Sequence, residues 1–486
     1  MNFDREQGKH NPKGKNIFSG MKVLVMGLGL HGGGVESARY LSDLGAELTV
    51  TDLRDEKVLA PSMEKLKTLP IRYVLGRHEA EDFEKADMVI KNPGVRPDSP
   101  FLKAAKRIET DISLFLDACP AKILAVTGSK GKSTSSSALY WVINESLQQT
   151  NSPIYGKAYL GGNITLSPLS FLDKLNENDT VVLELSSWQL GDLRSRNMLK
   201  PRAALITPIM RDHLDKYTSM AAYVDDKLLI AGNQDKTDVI VSKDDEWGQK
   251  FIRKSLARPL LYSEKPLAPG ISGGWISDPK GPGFARIGEN PNRTVEVVPE
   301  SLLVPGVHQK QNLLAAALVL LDLALDADFI RESLGRFPGV EHRLEFFHEK
   351  DGIRFYNDSA ATIPEAAAAA INAFYESSSS KANMVLIAGG TDKELDFAPL
   401  ALEAPKARDI ILLAGTGTEK LKNLLDRESV KYRGPFNSLG AALQAALEAA
   451  VPGDAVVLSP GCTSFGMFLN EFDRGLKWKE EVRRLA

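Results

Sequence analysis

Cysteine is nearly absent from this chain: two residues, Cys119 and Cys462, among 486. They stand far apart and without metal-ligand spacing, which argues against a disulfide scaffold and fits a reducing compartment. Histidine is scarce, with seven, and no Gly-x-Ser-x-Gly occurs, so no nucleophile–base arrangement is evident. No apolar run approaches the ~20 residues of a membrane span. A surplus of one charge is missing too: 60 basic and 63 acidic residues leave a net charge of −3, so no strongly basic face announces nucleic acid. The opening stretch "MNFDREQGKHNPKGKNIFSG" lacks the apolar centre of a signal peptide and reads as a disordered arm over 1–20. The expectation is a cytoplasmic protein and a monomer.

What the chain does have is rhythm. Short β-branched runs alternate with helical patterns throughout, the signature of parallel α/β sheets. A first block places strands at "MKVLVMG" (21–27), "AELTVTD" (46–52) and "ADMVIKNPG" (86–94). A second opens at "AKILAVTG" (121–128) and continues with "TVVLELSS" (180–187), "AALITP" (203–208) and "TDVIVS" (237–242). A Gly/Pro-rich stretch at 269–291 reads as hairpins and loops, and an Ala/Leu-rich helix follows at 310–325. Pro and Gly interrupt the pattern at "GRFPGVEHR" (335–343), after which "GIRFYNDS", "NMVLIAGG", "DIILLAG" and "DAVVLSPG" form a third block. At ~150 residues per domain the length suits three. The reading is three α/β domains over 21–118, 119–337 and 338–486. The first and last are Rossmann-like, and the central one is P-loop-like with a mostly parallel sheet.

Two loops look built for phosphates. Gly27-x-Gly29-x-x-Gly32 follows a strand and opens a helix, and Asp52 comes twenty residues after Gly32 at the end of the next strand. Glycines there permit close backbone approach, the helix start attracts a diphosphate, and the acid can take a ribose hydroxyl. NAD and a UDP-sugar satisfy that geometry equally. The second loop is "VTGSKGKST" at 126–134. Backbone N–H groups from Gly128 through Ser129, Lys130 and Gly131 to Lys132 can wrap a polyphosphate. Lys132 would neutralise β/γ oxygens, and Ser133 or Thr134 would offer a hydroxyl to Mg²⁺. The full Walker pattern wants glycine two positions before Gly128, where this chain has Val126.

Around these loops lie weaker candidates. Glu184 ends "VVLELSS", at the sheet edge where open α/β folds place ligands, and His213 lies in "MRDHLDKY". With the second loop they make an Mg²⁺ neighbourhood. Lys227 in "YVDDKLLI" reads as a solvated helix lysine, with no catalytic claim from position alone. In the third block "NDSAAT" (357–362), "GGTDK" (389–393) and "SPGCTSF" (459–465) each follow a strand, and their hydroxyls, lysine and N–H groups suit a carboxylate-bearing small molecule.

Taken in order, "GLGLHG", "VTGSKGKST", "GGNI", "LELSSWQL", "DHLDKY", "GVHQKQNLLAAA", "GVEHRLE", "NDSAAT", "GGTDK" and "SPGCTSF" resemble the Mur ligases, ATP-dependent enzymes that add amino acids to a UDP-muramoyl precursor of peptidoglycan. The likeness spans essentially everything after residue 20. "GLGLxG", "GGxDK" and "SPxxxSF" look most like the members that add D-glutamate. The resemblance implies that the first loop holds the UDP of the substrate and the second holds ATP. Leu30, His31, Asp52, Arg54, Asn92, Asn163 and Ser186 fall on positions for the UDP-muramoyl substrate. Lys132, Ser133, Thr134, Asn312, Arg343 and Asp358 fall on ATP positions. Glu184 and His213 match Mg²⁺ ligands, with Ser133 beside them. Lys227, four residues after Tyr223, matches a lysine carbamylated by CO₂ whose carbamate bridges a second ion. Thr362, Lys393, Ser464 and Phe465 match positions around the incoming glutamate.

Three departures stand out. Ala360 replaces a lysine, Gln309 an asparagine, and Glu471 an aromatic residue. Lys130 and Arg343 are the candidate stand-ins for the missing lysine. The implied reaction activates the alanyl carboxylate of UDP-N-acetylmuramoyl-L-alanine as an acyl phosphate, which the glutamate amine attacks. The alternatives are the same chemistry with L-glutamate or another amino acid, an NAD-dependent dehydrogenase, and a nucleotide switch that ligates nothing.

Overall fold

The computed structural model describes residues 17–30, 32–164, 166–194, 196–212, 217–287, 293–378, 381–464 and 466–485. The chain divides into two compact units. One comprises residues up to 275 with 284–295 and 314–330, and the other 276–283, 296–313 and 331–486.

The first unit carries two sheets. Strands β1 (Lys22–Met26), β2 (Glu47–Asp52), β3 (Ile71–Leu75), β4 (Met88–Lys91) and β5 (Ile108–Glu109) form an all-parallel sheet in the order β3-β2-β1-β4-β5. Further along the chain come β6 (Lys122–Thr127), β7 (Ala158–Gly162), β8 (Thr180–Glu184), β9 (Ala203–Ile206), β10 (Val239–Lys243) and β11 (Arg258–Ser263). These run parallel in the order β11-β10-β9-β6-β8-β7. Beyond β11 the short β12 (Gly273–Trp275) continues parallel and β13 (Gly283–Arg286) turns antiparallel, within the Gly/Pro-rich stretch. Every residue of β8 is buried, as a parallel strand covered by helices on both faces requires.

Strand order decides where ligands go. β1 sits between β2 and β4, and β6 sits between β8 and β9. In each case the connections leave to opposite sides, opening a crevice at the strand's carboxyl end. Both glycine loops of the sequence emerge there. The first leads into the helix Gly33–Asp43 and the second into the helix Lys132–Ser146. The latter forms because Ala138, Leu139, Val142 and Ile143 recur at helical spacing and are fully buried.

The two sheets of this unit are tied by charge as well as by packing. Lys91 Nζ lies 2.9 Å from Asp192 Oδ2, both side chains being largely buried. Burial pushes the Asp192 carboxyl up, and Lys91 opposes it. Arg196 pairs with Glu109 and reaches the Ile108 carbonyl. None of these links is visible as a sequence pattern.

The second unit holds a six-stranded sheet. Its order is Glu345–Lys350, Ile353–Asn357, Ala455–Leu458, Met384–Ala388, Asp409–Leu413 and Arg433–Phe436, with only the first pair antiparallel. Strand Ala455–Leu458 therefore lies between the strands that precede "NDSAAT" and "GGTDK", so all three expected loops leave one edge side by side. Among the described residues no helix is long and apolar enough to cross a membrane.

Candidate active site

The first glycine loop is bent as its sequence requires. Gly27, Gly29 and Gly32 have φ of 92°, 69° and 93°, where a side chain is strained. A Cβ on Gly34 would lie 2.3 Å from the Leu28 carbonyl oxygen, so only glycine lets the helix start this close to the strand. Asp52, at the end of β2, accepts the Gly29 N–H at 3.2 Å and the Arg54 N–H and Nε at 3.0 and 3.1 Å. Burial alone would raise its pKa; the donors from Arg54 and Gly29 outweigh that and hold the carboxyl below its ordinary value. Leu30 is half-exposed and Asn92 Oδ1 accepts the Gly94 N–H. His31 lies outside the described residues.

A cavity of about 10 Å³ beside this loop is lined by Gly27, Gly33, Asn92 and Asp111. Asp111 is buried, which pushes its carboxyl up, and it accepts the Ser167 hydroxyl at 3.0 Å. Sequence reading did not single it out, because nothing local to an acid that opens a helix announces its burial.

The second loop is tighter. Gly128 has φ 146°, and a Cβ there would lie 1.9 Å from Thr207 Oγ1. Gly131 caps the helix Lys132–Ser146 in the left-handed region, φ 89°. Lys132 Nζ folds back over the loop, donating to the carbonyls of Gly128 at 3.1 Å and Ser129 at 2.9 Å. Ser129 Oγ accepts the Met210 N–H at 2.9 Å and lies 3.0 Å from the Tyr223 hydroxyl, pinning three segments together. Lys130 is exposed and faces Asp212 at 3.5 Å.

Lys227 and Lys132 meet at one atom. Lys227 Nζ donates to the same Gly128 carbonyl at 2.8 Å and sits 4.7 Å from the centre of the Tyr223 ring. Burial, then repulsion from Lys132, lowers its pKa to about 7. A lysine expected to be a solvated helix residue is thus only 1% exposed. Tyr223 one helical turn earlier is the sequence signal that pairs with it.

Glu184 is equally buried. Its Oε1 accepts Asn163 Nδ2 at 2.9 Å, and its Oε2 lies 3.4 Å from the Ser136 hydroxyl. A Cβ on Gly162 would strike the Glu184 carbonyl at 2.1 Å, so glycine admits this approach. All its donors are neutral, and no ion pair to it occurs among the described residues. A buried carboxylate left in that condition is costly and suits a cation. Ser186 caps the helix Ser187–Gly191, accepting the Gln189 N–H. His213 lies outside the described residues, among which no three His, Cys, Asp or Glu gather.

In the second unit Asn312 and Asp358 are buried. Asp358 accepts the Ser459 hydroxyl at 2.6 Å and the Leu344 N–H at 3.1 Å. Burial pushes its carboxyl up to about 7 against these donors and the charges of Arg343 and Arg474. The three expected loops are laced to one another. Thr391 and Thr463 exchange backbone bonds at 3.2 Å, the Gly389 N–H meets the Pro460 carbonyl at 2.8 Å, and the Gly461 N–H meets the Ala361 carbonyl at 2.9 Å. Thr362 and Ser464 stand on them, the latter buried, and Lys393 is exposed. Phe465 lies outside the described residues.

Comparison with known proteins covers most of the chain. The Mur ligase MurD-like N-terminal domain matches residues 21–113, the Mur ligase middle domain 126–320, and the Mur ligase glutamate ligase domain 342–462. The UDP-N-acetylmuramoylalanine–D-glutamate ligase of Treponema pallidum is 39% identical over 96% of this chain and 98% of its own length. The Borreliella burgdorferi protein of the same name is 40% identical over the same shares. Solved structures share the fold: the UDP-N-acetylmuramate-alanine ligase MurC of Thermotoga maritima superposes with a TM-score of 0.56 at 19% identity, covering 96% of this chain and 100% of that one. The MurF ligase of the same organism, in complex with ADP, gives 0.52 at 15% identity, covering 98% and 100%. This chain belongs to the Mur ligase family.

Proposed function

We propose that the chain is the ATP-dependent ligase that joins D-glutamate to UDP-N-acetylmuramoyl-L-alanine in peptidoglycan precursor synthesis. One observation carries it: two separate glycine turns, each opening a helix at a switch point of its own sheet, lie in one compact unit. One nucleotide needs one such cradle. Two suit a UDP-bearing substrate and ATP.

The residues divide by chemistry. Leu30, His31, Asp52, Arg54, Asn92, Asn163 and Ser186 would hold the UDP-muramoyl substrate. The 128–134 loop would hold ATP; Asn312, Arg343 and Asp358 fall on ATP positions of the family. Glu184, Ser133 and His213 would hold Mg²⁺, and a carbamate on Lys227 would hold a second ion. Bound there, the ions would screen the two anions that must meet in phosphoryl transfer. Lys132 is poised to neutralise the γ-phosphate as the alanyl carboxylate attacks it. Thr362, Lys393, Ser464 and Phe465 would orient glutamate so that its amine displaces phosphate from the acyl phosphate. The reaction belongs in the cytoplasm, where ATP is supplied.

The assay is direct. With ATP, Mg²⁺ and UDP-N-acetylmuramoyl-L-alanine present, phosphate release should require D-glutamate; equal or better release with L-glutamate or another amino acid overturns the assignment. Asp52→Asn is expected to raise KM for the UDP substrate by about tenfold, the scale of one charged hydrogen bond, with kcat unchanged. A fall in kcat at unchanged KM would remove Asp52 from substrate binding.

A further inference from the structure

Arg474 is 1% exposed, on the first turn of the helix Glu471–Arg483. Its Nη1 donates to the Cys462 carbonyl at 3.1 Å and its Nη2 to the Ser359 carbonyl at 2.9 Å. Those carbonyls belong to two of the three loops that leave the sheet edge of the second unit. The third loop passes close by: a Cβ on Gly390 would lie 3.8 Å from Nη1. The neighbouring glycine is part of the fit, since a Cβ on Gly475 would stand 2.3 Å from both Ser359 Oγ and His342 Nδ1.

The charge of this guanidinium is not cancelled. Arg474 makes no ion pair among the described residues, and its Nε is buried without a hydrogen-bond partner. Burial lowers its pKa to about 10, so it stays charged at neutral pH. Of the acids that act on it through space, Glu471 comes first and Asp358 second, and neither forms an ion pair with it. Asp358 has a carboxyl pushed up to about 7 and already accepts from Ser459 and Leu344. Leu, Met or Gln would satisfy packing alone at far lower desolvation cost. A fully buried cation kept under three polar loops needs an anion nearby or a structural task that only its fork performs.

We propose that Arg474 is the positioning residue for the amino-acid substrate: its fork fixes the 359–362 and 461–464 loops, and its uncancelled charge draws a carboxylate of glutamate onto them. This rests on the reading above that these loops receive glutamate. It adds a residue that lies beneath the site and acts through Ser359 and Cys462.

The test uses the full chain with ATP, Mg²⁺, UDP-N-acetylmuramoyl-L-alanine and D-glutamate. Arg474→Met removes the charge at similar volume, and Arg474→Lys keeps the charge without the fork. In the methionine variant KM for D-glutamate should rise about 30-fold or more, the scale of losing one partner of a buried charged contact. The lysine variant should recover part of that rise, and KM for ATP and for the UDP substrate should stay near wild type in both. If all three KM values move together, or if the lysine variant shows wild-type KM for glutamate, the proposal fails. Thermal unfolding of each variant separates a misfolded chain from a misplaced loop, and the lysine variant decides alone if the methionine one does not fold. A wild-type enzyme that ignores glutamate would instead overturn the functional reading.

Discussion

Replacing Lys132 with alanine should cut ATP turnover by at least about a thousandfold, the scale of removing a preorganised charge from a phosphoryl-transfer site. The structure explains why so much rests on one side chain. Lys132 opens its helix, and its ammonium is already drawn over the loop by the carbonyls of Gly128 and Ser129. It therefore needs little reorganisation to exchange those carbonyls for phosphate oxygens. Lys130 cannot stand in, being exposed and turned toward Asp212. Arginine should rescue poorly, because a planar fork does not replace a compact charge inside a tight turn. Phosphate release under saturating substrates is the measurement, and a near-normal rate in the alanine variant sinks the assignment of this loop to ATP. Binding of the UDP substrate at the first loop should be unchanged, which separates a lost cation from a lost fold.

The two loops were legible in the sequence because local physics writes them there. Glycines must occupy positive φ, and a helix must start directly after, so both spacings survive as patterns. The parallel strands that deliver them were legible for the same reason: β6, β8, β9 and β10 are unbroken apolar runs, as double-sided burial demands. Short or half-exposed strands were not, and β5, two residues long, and β7, only partly buried, escaped. The reach between distant segments escaped too. Nothing local to Lys91 announces Asp192, and nothing local to Ser129 announces Met210 and Tyr223. Arg474 drew no notice, since burial of a charge is decided by packing from elsewhere in the chain. Lys227 shows the limit most sharply, for only the family resemblance lifted it out of a solvated helix face, and only the structure gives that a physical cause.

That cause leads to the other large effect. Lys227→Ala should be nearly inactive, with a loss of about a thousandfold or more if the side chain carries the ligand for a catalytic ion. Capture of CO₂ requires a neutral amine, and a pKa lowered to about 7 leaves much of Lys227 neutral at physiological pH. An ordinary lysine, near 10.4, would be almost wholly charged. The sign follows. Between the folded and the unfolded values the unfolded chain binds the extra proton, so this residue makes stability rise with pH over that range and fall as pH drops toward about 7. Carbamate formation and activity should fall together on the same acid side. Formate or acetate, small enough for the space the side chain vacates and carrying the same pair of oxygens, should restore part of the activity of Lys227→Ala. The readouts are phosphate release with and without the acid, and the intact mass of the native protein for bound CO₂. A variant that keeps its rate and its Mg²⁺ dependence, or that no short carboxylate improves, would falsify the carbamate. Lys227 would then be a buried structural amine held by Gly128 and Tyr223, and the charge beside Glu184 would have to come from elsewhere.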